Sequence, residues 1–244
     1  MSTRISDGLR IGAALALLSL LPGCIGGGGG TGGAPAEAVV TSDLVVIAGP
    51  PGFCVDESAT RADGDTAFVL LGNCAAISNS RRAAQPAVPV VLTAAISDAS
   101  DEGSISESLS DLDAYFRSEE GLALLSRTQD AGTVTVLETA TEGDVFLLHA
   151  SDTSGGAVEG VGDDYWRAYF DIDRRIATLS VLALEDRGVS REDSLSALRQ
   201  FARTVMAANA ATPEAVAGMP AQTAEAPPPQ GGLFNVGLFR RIFD

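Results

Sequence analysis

The feature that most constrains the fold of this 244-residue chain is a pair of hairpin patterns in its second half. Four apolar, β-branched segments occur in two pairs, and a short polar turn joins the members of each pair. The segments are residues 133–139, 145–150, 165–172 and 176–184, and the turns span residues 142–144 and 173–175. Strands joined by turns this short run antiparallel, so we predict an antiparallel sheet.

Side chains alternate in character along the third of these segments. The apolar positions are Trp166, Ala168, Phe170 and Ile172, and the positions between them are Arg167, Tyr169 and Asp171. Successive side chains of a strand point to opposite faces of its sheet. We therefore expect one buried face and one wetter face.

Two segments have the apolar period of amphipathic helices. In residues 104–127, Ser104 and Glu107 form a capping-box pattern, and Gly121 is expected to divide the segment into two helices. Residues 190–209 begin with a serine suited to the N-cap and have the apolar face Leu195, Leu198, Phe201, Ala202 and Val205. Hairpins and two or three helices together predict an α+β fold, an α/β/α sandwich in which helices cover an antiparallel sheet.

The order of these elements, from strands through a helix and two hairpins to a closing helix, is similar to that of the PsbP-like family. The similarity spans residues 41–210 and concerns element order alone. It implies a small α/β/α domain of a kind found in photosystem subunits, adaptor-like proteins and envelope proteins, which are generally not enzymes. It implies no particular functional residue.

The N-terminal residues have the pattern of an export signal. A short basic start precedes the apolar residues 11–21, which are too few for a transmembrane helix of about 20 residues and are typical of a signal peptide. The run ends in Leu21-Pro22-Gly23-Cys24, which resembles the lipobox of bacterial lipoproteins. The resemblance implies cleavage before Cys24 and attachment of lipid, with palmitate-like acyl chains, to that residue. Since Ile25 stands where inner-membrane lipoproteins of enterobacteria carry Asp, the resemblance favours the periplasmic side of the outer membrane over the inner membrane.

Composition divides the chain into five segments. They are a signal peptide (residues 1–23), a Gly/Ala-rich tether (24–40), a globular α+β domain (41–210), an Ala/Pro-rich linker (211–232) and an apolar-basic C-terminal segment (233–244). Gly-rich chain behaves as a flexible coil, which suits a tether between a lipid and a folded domain.

With Cys24 assigned to lipid, Cys54 and Cys74 are the two remaining cysteines. Both lie ten residues from Gly64, the centre of a turn pattern between two apolar segments, so a hairpin about this glycine places them opposite each other on neighbouring strands. In the oxidising periplasm such a pair is expected to form a disulfide. A redox or metal role is the alternative, although the spacing is not that of a CxxC motif.

Charge and composition exclude several classes of function. The formal net charge is −16, and such a surface repels nucleic acid, whose binding depends on Lys and Arg. All 16 basic residues are Arg, so no lysine is present for Schiff-base or phosphate chemistry.

No residue pattern indicates catalysis, a cofactor or a metal. The one histidine, His149, lies in an apolar segment with Asp152 nearby, and we expect a structural or surface role for it. The paired acids, at positions 163–164, 171 and 173, and 185–186, lack calcium-binding spacing and are typical of solvated turns. We therefore predict a protein that is not an enzyme and has no cofactor and no metal site.

The C-terminal segment is apolar and basic in an otherwise acidic protein. Its candidate binding residues are Leu233, Phe234, Leu238, Phe239, Arg240, Arg241 and Phe243. Phe234 and Leu238 are four residues apart, as are Phe239 and Phe243, so a helix would place them in a stripe. Such a stripe is expected to be buried on its own domain, on a partner protein or at a membrane surface.

The sequence supports three hypotheses of function. The first is a non-catalytic, lipid-anchored envelope protein whose periplasmic domain acts as an interaction or adaptor module. The second is a small-ligand or lipid-binding lipoprotein with a groove between sheet and helices, which a sizeable apolar pocket would favour. The third is a hydrolase, which titratable groups with shifted pKa values in a cleft around His149 would favour.

Overall fold

A computed structural model describes residues 33–101, 103–154 and 160–210 of the chain. The strands are β1 (Glu37–Val40), β2 (Val45–Ala48), β3 (Phe53–Val55), β4 (Arg61–Asp63), β5 (Thr66–Asn73), β6 (Val90–Ile96), β7 (Val134–Glu142), β8 (Val145–Asp152), β9 (Val161–Ile172) and β10 (Arg175–Leu184). The helices are α1 (Cys74–Ile77), α2 (Ile105–Phe116), α3 (Glu119–Leu125) and α4 (Arg191–Asn209), with a 3₁₀ turn at Ala131–Thr133. The predicted signal peptide, most of the tether, the linker and the C-terminal segment lie outside the described residues.

The main sheet has eight antiparallel strands in the order β3-β5-β6-β10-β9-β8-β7, and β4 pairs with β5 beside β3. The predicted α+β class and antiparallel sheet are therefore confirmed. Both predicted hairpins are present, as β7-β8 and β9-β10. In the middle of the sheet β6 pairs with β10, with Ile96 opposite Ala177, so strands distant in sequence meet there.

Helices cover both faces of this sheet. α4 packs on β9 and β10 on one face, while α2 and α3 pack on β7, β8 and β9 on the other. Each side has its own core of buried side chains. The α4 side includes Trp166, Phe170, Leu198, Phe201 and Val205, and the α2/α3 side includes Leu112, Phe116, Phe146, Tyr165 and Tyr169.

The face of β9 that carries Tyr169 is not the wetter face that alternation predicted. Tyr165 and Tyr169 are 3% and 0% exposed, because α2 and α3 cover this part of the sheet. Phe116 of α2 packs against Tyr169 with ring centroids 4.9 Å apart. The predicted division of side chains between the two faces is right, but both faces of β9 are covered.

The closing helix has the bounds that the sequence predicts. Ser190 is its N-cap, and the Ser190 hydroxyl accepts a hydrogen bond from the Asp193 N–H at 3.0 Å. Leu198, Phe201 and Val205 are fully buried against the sheet. Each such side chain contributes about 1.5–3 kcal/mol relative to an exposed one, so packing on the sheet dominates the stability of α4.

The helical segment at residues 104–127 is divided, although not at Gly121. α2 begins at the predicted cap, where the Ser104 hydroxyl accepts a hydrogen bond from the Glu107 N–H at 3.2 Å, and the break lies at residues 117–118. Gly121 lies inside α3, where a Cβ would overlap the carbonyl oxygen of Tyr115. This glycine therefore permits the close approach of α3 to the end of α2.

The folded part begins before residue 41, so the boundary predicted for the tether is wrong. β1 lies within the predicted tether and pairs with β2 in a two-stranded sheet, with Val39 opposite Val46. β2 also contacts α4, where the Asn209 side chain donates to the Val46 carbonyl at 2.7 Å and accepts from its N–H at 2.9 Å. Residues 37–40 therefore belong to the domain.

The predicted disulfide between Cys54 and Cys74 is confirmed. Its position differs from the prediction in one respect, because Cys54 lies opposite Gly72 and Cys74 is the first residue of α1. The Gly64 turn closes the β4-β5 pair, and the residues between β3 and β4 shift the register of β3. The disulfide thus joins β3 to the start of α1 rather than to a neighbouring strand.

Candidate binding pocket

A row of cross-strand neighbours forms a polar stripe on the α2/α3 side of the sheet. The strand registers align Leu148 of β8, Arg167 of β9, Ser180 of β10, Thr93 of β6 and Leu70 of β5. Cross-strand neighbours share a face of the sheet, with Cβ atoms about 5 Å apart. Backbone pairing therefore places one guanidinium and two hydroxyls side by side, between apolar residues.

The stripe leads from the helix-covered part of this face to a more open part. α2 and α3 contact β7, β8 and β9, whereas the side chains of Phe68, Leu70, Val91 and Thr93 on β5 and β6 are half-buried. A pocket of about 160 Å³ lies at this transition. It is lined by Phe68, Val91, Thr93, Arg127, Val161, Tyr165, Arg167, Ser180 and Leu182.

The lining of this pocket is mainly apolar and carries positive charge. Of the described residues that line it, Arg127 and Arg167 are cationic and none is acidic. An apolar wall with a few convergent polar groups is the usual form of a small-molecule site. In a chain of net charge −16, two cations at one apolar pocket favour an anionic ligand over a cationic one.

Arg127 is positioned by the backbone at one end of the pocket. Its guanidinium donates to the Gly162 carbonyl at 3.0 Å and to the Asp152 carbonyl at 3.4 Å, and its Nε lies 4.0 Å from the Asp152 carboxylate. The side chain is 14% exposed. These contacts fix the guanidinium where β8 ends and β9 begins, next to the end of α3.

Asp152 is a buried carboxylate that joins the segment after α3 to the end of β8. It accepts hydrogen bonds from the Arg127 N–H at 2.8 Å, the Thr133 hydroxyl at 2.9 Å and the Ser154 N–H at 3.0 Å. Burial raises the pKa of Asp152, but these hydrogen bonds together lower it by a larger amount. The pKa of Asp152 therefore lies below its ordinary value. Asp152 is therefore a positioning residue for Arg127.

Arg167 lies over the ring of Tyr165, with its guanidinium carbon 4.6 Å from the ring centroid. The Tyr165 hydroxyl donates to the Leu125 carbonyl at 3.0 Å, which fixes the ring below the guanidinium. Burial raises the pKa of Tyr165 to about 12, so this ring is neutral at physiological pH. Burial opposes the charge of Arg167, but electrostatic interactions with Tyr165, Tyr169 and Asp152 and a hydrogen bond with Tyr169 favour it, so the pKa of Arg167 lies above its ordinary value.

A third buried cation, Arg175, has a structural role. It is 2% exposed and lies at the start of β10, where it donates to the Ser97 carbonyl at 2.9 Å and the Asp43 carboxylate at 2.9 Å. It also bonds the Asp65 carbonyl. These contacts connect the turns before β2 and β5 to the middle of the sheet, so the charge of Arg175 is already used within the fold.

His149 and Asp152 lie on opposite faces of the sheet, because residues three apart in a strand point to opposite sides. The imidazole stacks on Trp166 at 4.6 Å between centroids, and its Nε2 lies 3.8 Å from the exposed carboxylate of Asp164. Burial lowers the pKa of His149, and the negative charge of Asp164 raises it by a smaller amount. The pKa of His149 therefore lies below its ordinary value. The histidine is 6% exposed, so of the two expected positions, structural or surface, it occupies a buried one.

A second pocket, of about 70 Å³, brings Ser194 near His149 and Asp164, a set of residue types that sequence reasoning missed. Hydrolases use these residue types, but they need hydrogen bonds from the acid to the base and from the base to the nucleophile. In the described part of the chain no hydrogen bond joins Ser194 to His149, and 3.8 Å is too long for one between His149 and Asp164. The arrangement does not activate the serine.

The acids that the sequence assigned to solvated turns do not all lie in the solvent. Asp171 accepts hydrogen bonds from the N–H groups of Ile105 and Ser106, at 2.9 and 3.0 Å, and so caps α2 from the neighbouring strand. Asp163 and Asp173 are exposed. Among the described residues, no group of three or more His, Cys, Asp or Glu side chains could hold a metal ion.

Two predicted sites fall outside the described residues. They are the lipidation site Cys24 and the C-terminal residues Leu233, Phe234, Leu238, Phe239, Arg240, Arg241 and Phe243. Sequence reasoning did not find the pocket residues Arg127, Arg167 and Thr93. The one signal in the sequence was the position of Arg167 between Tyr165 and Tyr169 on the same face of one strand, which indicated an amphipathic environment.

No protein-family model matches this chain, and no curated protein sequence matches it at a significant level. The similarity to the PsbP-like family therefore stays a prediction. In the part of the chain that the structure describes, no helix has both the length and the hydropathy needed to span a membrane.

Proposed function

We propose that this protein is a lipid-anchored, non-catalytic binding protein of the bacterial envelope, whose folded domain acts in the periplasm as an interaction module. The observation that carries the proposal is the Cys54–Cys74 disulfide in the domain that follows the lipobox pattern. Disulfides persist in oxidising compartments such as the periplasm and are rare in the cytosol. The disulfide and the export pattern are independent features that agree on the same side of the membrane.

The geometry of the titratable groups supports a role without catalysis. His149 is stacked and buried, its carboxylate neighbour is exposed, and the cleft beside it is small. The hydrolase hypothesis needs titratable groups with shifted pKa values that converge on an accessible cleft. Asp152, the buried acid with a lowered pKa, is instead engaged in hydrogen bonds within the fold.

The C-terminal segment is the proposed recognition element for a protein partner. It is separated from α4 in the sequence by the Ala/Pro-rich linker of residues 211–232. A segment on such a linker can reach a partner bound beside the domain. Its apolar residues and the pair Arg240-Arg241 suit an acidic partner with an apolar groove.

Membrane attachment is tested by comparing the natural chain with Cys24→Ala and Ile25→Asp variants in a labelled fatty acid assay and in membrane fractionation. Cys24→Ala should lose the acyl label and remain unprocessed. Ile25→Asp should keep the label and move from the outer to the inner membrane, which makes it the matched control. Normal labelling of Cys24→Ala would refute the anchor.

Partner binding is tested by cross-linking in native envelopes. The natural chain is compared with a chain that ends at Gly232 and with a Phe239→Ala/Phe243→Ala variant that keeps both arginines. A partner captured by the natural chain and lost from both variants places recognition in the C-terminal segment. Equal capture by all three would move the binding surface to the folded domain.

A second candidate function is favoured by a specific observation, the cation-lined pocket on the α2/α3 side of the sheet. This is the small-ligand or lipid-binding hypothesis, although strand residues and Arg127 line the pocket, and the groove between sheet and helices that the sequence suggested is not its location. Titration of the lipid-anchored protein with short-chain amphiphiles tests it. If no amphiphile binds, the ligand-binding hypothesis is refuted and the protein-interaction role is the remaining proposal.

A further inference from the structure

We propose that the pocket formed by β6, β9, β10 and Arg127 binds a small amphiphile with a single carboxylate. Its head group would contact Arg167 and Arg127, and its apolar chain would lie against Phe68 and Val91. This inference rests on the ligand-binding function proposed above and specifies the class of ligand. It is carried by the joint presence of two guanidiniums, two hydroxyls and an apolar wall in one pocket.

The charge of the head group follows from the pocket lining. Both charged side chains that line the pocket, among the residues described, are arginines. A guanidinium offers parallel N–H donors that match the two oxygens of a carboxylate, and such charge-assisted bonds are stronger than neutral ones. A neutral head group would forgo this attraction, and a cationic one would be repelled.

The hydroxyls of Ser180 and Thr93 extend the polar part of the site. They follow Arg167 along one row of the sheet, so they lie on the same face as the guanidinium at successive strand spacings. Hydroxyl groups can donate to a carboxylate oxygen that the arginine leaves accessible. Because these donors stand on the three central strands, the fold positions them before a ligand arrives.

The rest of the lining determines the size and polarity of the remainder of the ligand. Phe68, Val91, Val161 and Leu182 present apolar surface beside the polar row. The volume of about 160 Å³ is below the range of about 300–1,000 Å³ that is typical of drug-sized ligands. A short, single alkyl chain fits this volume, and a longer chain would continue over the half-buried Leu70.

The test uses the full-length, lipidated protein in lipid nanodiscs, with empty nanodiscs as the blank. Isothermal titration compares hexanoate, hexan-1-ol and hexylammonium, which share one alkyl chain and differ in head-group charge. Hexanoate should bind about tenfold more tightly than hexan-1-ol, since one charge-assisted hydrogen bond contributes that factor, and hexylammonium should not bind. Acetate, which lacks the chain, should bind more weakly than hexanoate.

Variants assign the binding to this pocket. Arg167→Met should weaken hexanoate binding at least to the level of hexan-1-ol, and Arg203→Met, on the exposed face of α4, should leave it unchanged. Because Arg167 packs on Tyr165, its loss can disturb folding, and Thr93→Glu provides a second variant. Thr93 is half-buried, so the new carboxylate should occupy the guanidiniums and abolish hexanoate binding while the thermal unfolding midpoint is kept.

Each other outcome has a distinct meaning. Equal binding of hexanoate and hexan-1-ol would overturn the carboxylate assignment but leave an apolar ligand site. Hexanoate binding that survives both Arg167→Met and Thr93→Glu would place the ligand elsewhere and overturn the inference. Absence of binding by all three six-carbon probes would overturn both the inference and the ligand-binding function, while partner capture would still test the interaction function separately.

Discussion

Asp152→Asn is the substitution that most directly tests how the fold positions the pocket. One carboxylate oxygen of Asp152 accepts from Thr133 and Ser154, and the other accepts from the Arg127 N–H and faces its guanidinium at 4.0 Å. An asparagine can keep its carbonyl oxygen at the first position. Its NH₂ group then meets the Arg127 N–H, so two donors face each other.

The expected cost follows from these contacts. Asp152 is 0% exposed, so no water replaces a lost partner. A hydrogen bond to a charged group contributes about 1.5–3 kcal/mol, and a buried donor without an acceptor costs about 1–3 kcal/mol. Because these contributions overlap, we expect the free energy of unfolding to fall by about 2–4 kcal/mol at pH 7.

The pH dependence of this difference has a definite sign. The pKa of Asp152 is lower in the folded than in the unfolded chain, so the carboxylate stabilises the fold above the unfolded pKa of about 3.9. That stabilisation is lost as the pH falls through the folded pKa. The difference between the natural chain and Asp152→Asn should therefore be full at pH 7 and shrink progressively below about pH 4.

Urea denaturation at pH 7 and at pH 3 measures both quantities. Asp163→Asn is the matched control, since Asp163 is an exposed acid near the start of β9, and its effect should stay within about 0.5 kcal/mol. An Asp152→Asn variant as stable as the natural chain at pH 7 would refute the buried hydrogen-bond account. A large loss of stability that does not diminish at pH 3 would show that the charge is not its source.

Three further predictions concern stability. Replacing Cys54 and Cys74 with alanine should lower the free energy of unfolding by about 3 kcal/mol, because a loop with a sequence separation of 20 is released; unchanged urea midpoints would contradict this. Gly121→Ala should destabilise the fold by about 3 kcal/mol in thermal unfolding, because the added Cβ overlaps backbone atoms. Gly162→Ala is the control: its Cβ meets only a carbonyl oxygen at 3.8 Å, so the change in stability should stay within about 0.5 kcal/mol. Burial lowers the pKa of His149, so as the pH falls the unfolded chain binds a proton at this residue before the folded chain does. The free energy of unfolding should therefore decrease from pH 7.5 to 5.5, and His149→Gln should reduce this pH dependence. An equal pH dependence in the variant would exclude His149 as its cause.

Local patterns in the sequence predict much of the fold because they act over a few residues. The N-cap at Ser190 and the apolar face of residues 191–209 define α4, and the turns at residues 142–144 and 173–175 define both hairpins. The bounds of the tether were wrong because β1 is short and pairs with β2, which is itself bonded through Val46 to Asn209, a residue distant in sequence.

The pocket could not be predicted because it depends on which strands become neighbours. Alternation places Arg167, Ser180 and Thr93 on some face of their strands, but only the pairing of β6 with β10 aligns them in one row. The opposite orientations of His149 and Asp152 follow from their spacing. Residues three apart in a strand point to opposite faces, as these two do.

The central position of β6 has a consequence for folding during synthesis. β6 pairs with β5 on one side and with β10 on the other, where Ile96 meets Ala177. Until β10 has left the ribosome, β6 is an edge strand with unpaired backbone groups, and contacts this distant in sequence form slowly. A chain that stops before residue 175 therefore presents an aggregation-prone edge to its neighbours, and proteases rather than binding partners are its expected fate.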